Sequence, residues 1–253
     1  MYRIPCFEDR MSHFTLLLLI DAFRVDYVAK TQFIKNLAKD SAVGALRECF
    51  GFVPRAAYFG GLSAKQYGFT NMFCYGPERS PFSIAQALPA CESSIRVEKH
   101  FGIRQFLEQT AREKSTPFTA TYLSSIEIPL PYVSYFEPVE KRSPWDKRVG
   151  YRSFFHILNE KSIPWYQCTW PHSNSIPNPS DGGIVEHVLQ NLRPEHRFAY
   201  VHLQELDGVG HGFGPGSLQV LETIQATDRH VKRLIEGIRQ KYDEVNIILF
   251  GDH

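Results

Sequence analysis

Apolar residues are arranged regularly at the two ends of this chain and irregularly in its middle. Phe14-Thr-Leu-Leu-Leu-Leu-Ile20 is a short unbroken apolar run, the pattern of a central parallel strand covered on both faces. Residues 198–204 and 245–250 read the same way, and 163–168 and 42–50 read as further strands. Between these runs apolar positions recur at helical spacing. Phe33, Ile34, Leu37 and Ala38 form one stripe of a helix over 31–40, with Thr31 as its N-cap. A second helix is predicted over 181–191. A long one runs from about 217 to 241, carrying Leu221, Ile224, Val231, Leu234, Ile235 and Ile238. Pro54 precedes a small-residue helix over 55–61. Strands alternating with helices predict an α/β fold, a mostly parallel sheet with helices on both faces.

From about residue 76 to 179 the periodicity is lost. Prolines recur from Pro77 to Pro179, interleaved with Tyr, Trp and Phe. Long loops or a cap-like insertion, broken by helices near 102–113 and 151–160, fit this pattern. At 253 residues the chain suits one sizeable domain, with two small ones as the alternative. A net charge of +1 makes no case for a nucleic-acid-binding or membrane-surface protein. The five cysteines are scattered, without C-x-x-C spacing, which argues against a disulfide framework and a thiolate zinc site. The longest apolar run is too short to span a membrane, and no cleavage-site pattern follows it, so a cytoplasmic protein is expected.

Candidate chemistry sits where apolar runs stop. After the run ending near Gln204 come Asp207 and His211, separated by glycines. Gly208, Gly210, Gly212, Gly214 and Pro215 disfavour a helix, so a loop at the carboxyl end of a strand is expected. Ile20 is followed by Asp21, and Phe250 by Gly251-Asp252-His253. In a parallel sheet all strands end on one rim, so these residues should converge. Three carboxylates and two imidazoles suit two divalent cations, Zn²⁺ first, with Mn²⁺ or Mg²⁺ as alternatives.

These residues also carry a resemblance. Ile20-Asp21-Ala-Phe-Arg-Val-Asp-Tyr27 resembles the opening motif of the type I phosphodiesterases/nucleotide pyrophosphatases of the alkaline phosphatase superfamily. Thr31-Gln-Phe-Ile-Lys-Asn-Leu-Ala38 is similar to the helix that follows it in that family. Glu205-Leu-Asp207-Gly-Val-Gly-His211-Gly-Phe-Gly-Pro215, the segment from Thr227 to Leu234, and Gly251-Asp252-His253 resemble later motifs, in the family's order. The resemblance implies an alkaline-phosphatase-like core and a two-metal hydrolase of phosphodiester or phosphomonoester bonds. Asp207 and His211 would hold one ion, and Asp21, Asp252 and His253 the other. The partner would be a small phosphate-ester substrate.

Two departures qualify this. The family's Ser or Thr nucleophile has Gly51 in its slot, and no Ser or Thr occurs from Ala42 to Leu62. Pro54-Arg55-Ala-Ala-Tyr-Phe-Gly-Gly61 echoes a sulfatase motif, but Cys49 sits two residues too early for its cysteine. Direct attack by a metal-bound hydroxide, an activated Cys49 thiolate, and a silent metal-binding relative are the resulting alternatives; sulfatase- or phosphonate-hydrolase-like activity is another. Arg55 is a candidate contact for a substrate oxygen. The family also has a further ligand histidine downstream of His253. The expectation is therefore a domain incomplete at its C-terminal end, with weak metal binding at Asp207 and His211.

Overall fold

The structure, a computed structural model, describes residues 13–46, 55–67, 73–87, 102, 105–107, 109–110, 128–139, 144–147, 149–168, 176 and 179–253. The chain divides into two compact units, one of residues 1–48 and 158–253 and one of 49–157.

The first unit is built on four parallel strands. β1 (His13–Ile20) is followed by a 3-10 helix (Val25–Lys30) and α1 (Phe33–Lys39). The second unit contains α2 (Arg55–Gly60), α3 (Ala64–Tyr67), and an antiparallel pair of β2 (Phe73–Tyr75) with β3 (Phe136–Pro138). Phe82, Ala85, Leu107 and Val133 form its small core. The Phe59 ring meets Phe154 edge-on and Phe155 at a tilt, at the start of α4 (Phe154–Glu160). Residues 105–107 and 109–110 are helical, as their spacing predicts. The chain returns to the first unit with β4 (Trp165–Cys168), α5 (Asp181–Asn191), β5 (Phe198–Leu203), α6 (Glu205–Phe213), α7 (Leu218–Arg239) and β6 (Glu244–Phe250). No helix among the described residues is long and apolar enough to cross a membrane.

The sheet order is β4-β5-β1-β6, and every pairing is parallel. β1 therefore lies between β5 and β6, and all three end on the same rim. Leu16, Leu18 and Ile20 pair in register with Ala199, Val201 and Leu203. All six are fully buried in one core with Ile184, Val188, Leu206, Ile224, Val231 and Ile235 from α5, α6 and α7. Each Leu, Ile or Val among them contributes about 1.5–3 kcal/mol on leaving water, which outweighs any local preference in so short a strand. Strand alternation puts Leu17, Leu19 and His202 on the opposite face.

Three local expectations are corrected. Residues 42–46 form no strand: Val43 and Leu46 are exposed and have no ladder partner among the described residues. Residues 47–50 lie outside the described residues. Thr31 does not cap α1 by itself. Its hydroxyl donates back to Val28 O at 2.7 Å, and of the helix N–H groups it accepts that of Lys35, at 3.2 Å. The leading N–H groups of Gln32, Phe33 and Ile34 donate to the Asp228 carboxylate of α7, each at 2.9 Å. A seven-residue helix is not stable alone, so this tertiary cap holds it. Asp228→Ala is expected to cost about 2 kcal/mol, read as a lowered urea midpoint with an unchanged slope.

The third correction concerns Asp207 and His211. The segment expected as a glycine-rich loop is α6, and the two residues are an i, i+4 pair on it. Its three internal glycines cost about 1 kcal/mol each relative to alanine. Leu206 is buried, and Val209 packs on the main core. The buried Asp181 carboxylate accepts the N–H groups of Gln204 (2.8 Å) and Glu205 (3.3 Å) at the helix start. Tertiary burial and that cap together outweigh the glycines. The helix stops at Gly214, whose φ of +83° is left-handed.

Candidate metal centre and active site

The rim of the first unit gathers the five residues predicted from strand ends. Asp21 directly follows β1, and its N–H continues the ladder to Leu203 O at 2.9 Å. Two residues after β6, Asp252 accepts the Ala22 N–H at 3.1 Å, joining the end of β6 to the turn after β1. Ala22 has a φ of +56°, a left-handed conformation that costs a non-glycine residue about 1 kcal/mol. Gly251 is forced by space: a Cβ there would lie 2.1 Å from the Phe23 carbonyl oxygen.

His253 is the hub. Its Nδ1 lies 3.1 Å from Asp252 Oδ1 and 3.8 Å from Asp21 Oδ1, and its Nε2 lies 3.4 Å from Asp207 Oδ1. Asp207 Oδ1 also lies 3.3 Å from His211 Nε2. Asp21, Asp252 and His253 each offer a ligand atom within 4.8 Å of the others. Asp207 adjoins this group through His253, while His211 is 80% exposed and stands at its edge. Two oxygen donors and one imidazole nitrogen are a donor set that fits Zn²⁺ or Mn²⁺.

Electrostatics follow from three carboxylates crowded on one rim. Hydrogen bonds to Asp207 and Asp252 push the pKa of His253 up to about 10, against the opposing effect of its burial. Burial raises the carboxyl of Asp21; His202 draws it back in part, and the charges of Asp252 and Asp207 add to the rise. Burial also opposes ionisation of Asp252, but hydrogen bonds from His253 and from the Ala22 N–H outweigh it and hold that carboxyl below its ordinary value. A cation seated here would displace the proton from His253.

One residue was missed by the sequence reading. His202, near the end of β5, is buried and places Nε2 2.9 Å from Asp21 Oδ2. The available signal was a polar side chain inside an otherwise apolar strand run. Of the other predicted residues, Cys49 and Gly51 lie outside the described residues. The backbone of Arg55 begins α2, and its side chain lies outside what is described.

A family model for type I phosphodiesterase/nucleotide pyrophosphatase matches residues 15–253. The chain belongs to that family. Among its type I phosphodiesterase relatives, the venom phosphodiesterase of Naja atra is 41% identical over 63 residues, 24% of this chain and 7% of the venom protein. The ectonucleotide pyrophosphatase/phosphodiesterase family member 3 of Mus musculus is 36% identical over 90 residues, 32% of this chain and 10% of that protein. This chain thus matches only a small part of these curated relatives. Murine ectonucleotide pyrophosphatase/phosphodiesterase 5 shares the fold with a TM-score of 0.57 at 14% identity, covering 95% of this chain and 57% of that one. An inactive variant of the murine protein, in complex with AMP, matches with a TM-score of 0.55 at 15% identity. These structural matches establish for this family member the parallel α/β fold expected from its strand pattern.

Proposed function

We propose that this chain forms the catalytic core of a metal-dependent hydrolase of phosphodiester bonds, acting on nucleotide esters. The observation that carries this reading is the convergence of Asp21, Asp207, His211, Asp252 and His253 from three parallel strand ends. Family membership supports phosphodiester chemistry. The AMP complex of the murine neighbour supports a nucleotide as the substrate class.

In this reading Asp21, Asp252 and His253 hold one divalent cation, and Asp207 with His211 contributes to a second. Bound there, such ions would polarise the phosphoryl oxygens and lower the pKa of the attacking oxygen. The protein's own part is to hold the donors ready. Ala22 N–H fixes the Asp252 carboxylate, His253 bridges Asp207 and Asp252, and α6 presents Asp207 and His211 on one face.

A second reading is a metal-binding relative without turnover, and one observation favours it: no Ser or Thr occurs from Ala42 to Leu62. Hydrolysis of bis-p-nitrophenyl phosphate, with and without Zn²⁺ or Mn²⁺, separates the two. Turnover that requires added metal and falls at least about 100-fold in Asp207→Ala is the expected result. Metal binding without turnover of any ester would establish the silent relative. Turnover unchanged in both Asp21→Ala and Asp207→Ala would remove this centre from the chemistry.

A further inference from the structure

We propose that His202 is a positioning residue for the metal centre, holding the Asp21 carboxylate so that one oxygen faces inward and the other is occupied. The inference rests on the reading of Asp21 as a metal ligand and adds a residue that the family motifs quoted above do not contain.

The register of the sheet sets up the contact. In the β1–β5 ladder Leu19 pairs with His202, so both side chains emerge on the same face. Alternation along β1 carries Asp21, two residues after Leu19, to that face as well. The β1–β6 ladder pairs Leu19 with Phe250, and the same step of two brings Asp252 there. Asp21, His202 and Asp252 are thereby neighbours by backbone geometry alone, although 181 residues separate Asp21 from His202.

Within that arrangement the two oxygens of Asp21 have different surroundings. Oδ2 lies 2.9 Å from His202 Nε2. Oδ1 faces His253 Nδ1 at 3.8 Å, in the group with Asp252. With Asp21 ionised, Nε2–H donates to Oδ2. Rotating the carboxylate to exchange its oxygens would break this charge-assisted bond, or return the same geometry after a half-turn. A carboxylate that must present one oxygen to a cation gains from such a tether. Partners of this kind orient ligating side chains, and their removal lowers metal affinity about 10–100-fold. His202 is itself buried in the sheet, so its ring has little freedom to move away. A histidine serving only to fill the core would be equally well replaced by an apolar residue of similar size; that difference supplies the test.

The wild type, His202→Leu, His202→Asn, His202→Gln and Asp21→Ala are to be titrated with Mn²⁺ by calorimetry and with Co²⁺ by visible absorption. Thermal unfolding reports on folding of each. His202→Leu, which keeps the volume and removes the donor, is expected to lose about 10–100-fold in affinity and to shift the Co²⁺ spectrum. His202→Asn, whose amide is too short to reach Asp21, should behave alike and covers the case in which the leucine variant does not fold. His202→Gln, with an N–H at nearly the position of Nε2, should recover most of the affinity. Asp21→Ala should lose it altogether. Wild-type affinity and spectrum in folded His202→Leu or His202→Asn, with Asp21→Ala having lost binding, would overturn the positioning role while leaving the centre intact. Undiminished binding in Asp21→Ala would instead overturn the metal-centre reading on which it rests.

Discussion

Replacing Gly251 by alanine is expected to dismantle the centre while leaving most of the fold in place. The added Cβ would lie 2.1 Å from the Phe23 carbonyl oxygen and 2.9 Å from its carbon. These are backbone atoms, so no side-chain rotation relieves the clash. Phe23 is buried and its N–H bonds back to Ile20 O, so the turn after β1 cannot retreat without disturbing the strand. The end of β6 must move instead, carrying Asp252 away from the Ala22 N–H and His253 away from Asp207. Overpacking of this kind costs about 1–3 kcal/mol of stability. The larger loss is in function, because a displacement near 1 Å of a reacting group costs about 100-fold. Calorimetric titration with Mn²⁺ should show affinity reduced about 10–100-fold, beside a modest fall in the unfolding midpoint. Wild-type affinity would show that the backbone has room to yield and that this close approach does not set the site.

Asp181 should make the protein less stable as the pH rises from about 4 to about 6. The carboxyl is fully buried, and its burial, only partly offset by the Gln204 and Glu205 N–H groups, raises its pKa from 3.8 to about 6. A raised acid pKa means the folded protein holds the proton more tightly than the unfolded chain. The stabilisation is complete below the unfolded value near 4 and is lost as pH climbs through the folded value near 6. Over that window the loss is about 3 kcal/mol. Asp181→Asn retains an acceptor oxygen for both N–H groups and cannot ionise. Urea unfolding at pH 4, 5, 6 and 7 should therefore show a falling trend in the wild type relative to the asparagine variant. Parallel pH profiles for the two proteins would mean that Asp181 titrates at its ordinary value. Asp181→Ala differs in kind, because it leaves both N–H groups at the start of α6 without their acceptor, and with them the segment that carries Asp207.

The readable parts of the chain were those where one local rule operates alone. The run from Phe14 to Ile20 is apolar without a break, and only a covered strand accommodates it. Once the strands are parallel, the convergence of Asp21, Asp207, Asp252 and His253 follows from geometry. The failures share another cause: a partner far away in sequence. The glycines of α6 argued locally for a loop, and the helix forms because Leu206 is buried and Asp181 caps it. Asp228 reads as an ordinary residue of a long amphipathic helix, yet it caps a helix almost two hundred residues earlier. His202 sits in a strand run where a buried histidine is unremarked; only the register with Leu19 reveals that it faces Asp21. Val43 and Leu46 are of strand-forming type, but a strand requires a neighbour, and none of the described residues pairs with them.

The place of β1 between β5 and β6 has a consequence for how the chain leaves the ribosome. Of the four described strands, β1 is an inner one and is made before the rest, and its two neighbours β5 and β6 are made last. The 181 residues from Asp21 to His202 take on the order of ten seconds or more to synthesise. Throughout that interval the run from Phe14 to Ile20 has neither neighbour, and of the residues gathered on the rim only Asp21 has been translated. The nascent chain is thus committed to shielding its most apolar segment, by a chaperone or by transient collapse, until β5 and β6 arrive. The cluster of Asp21, Asp252 and His253 then forms as the sheet closes.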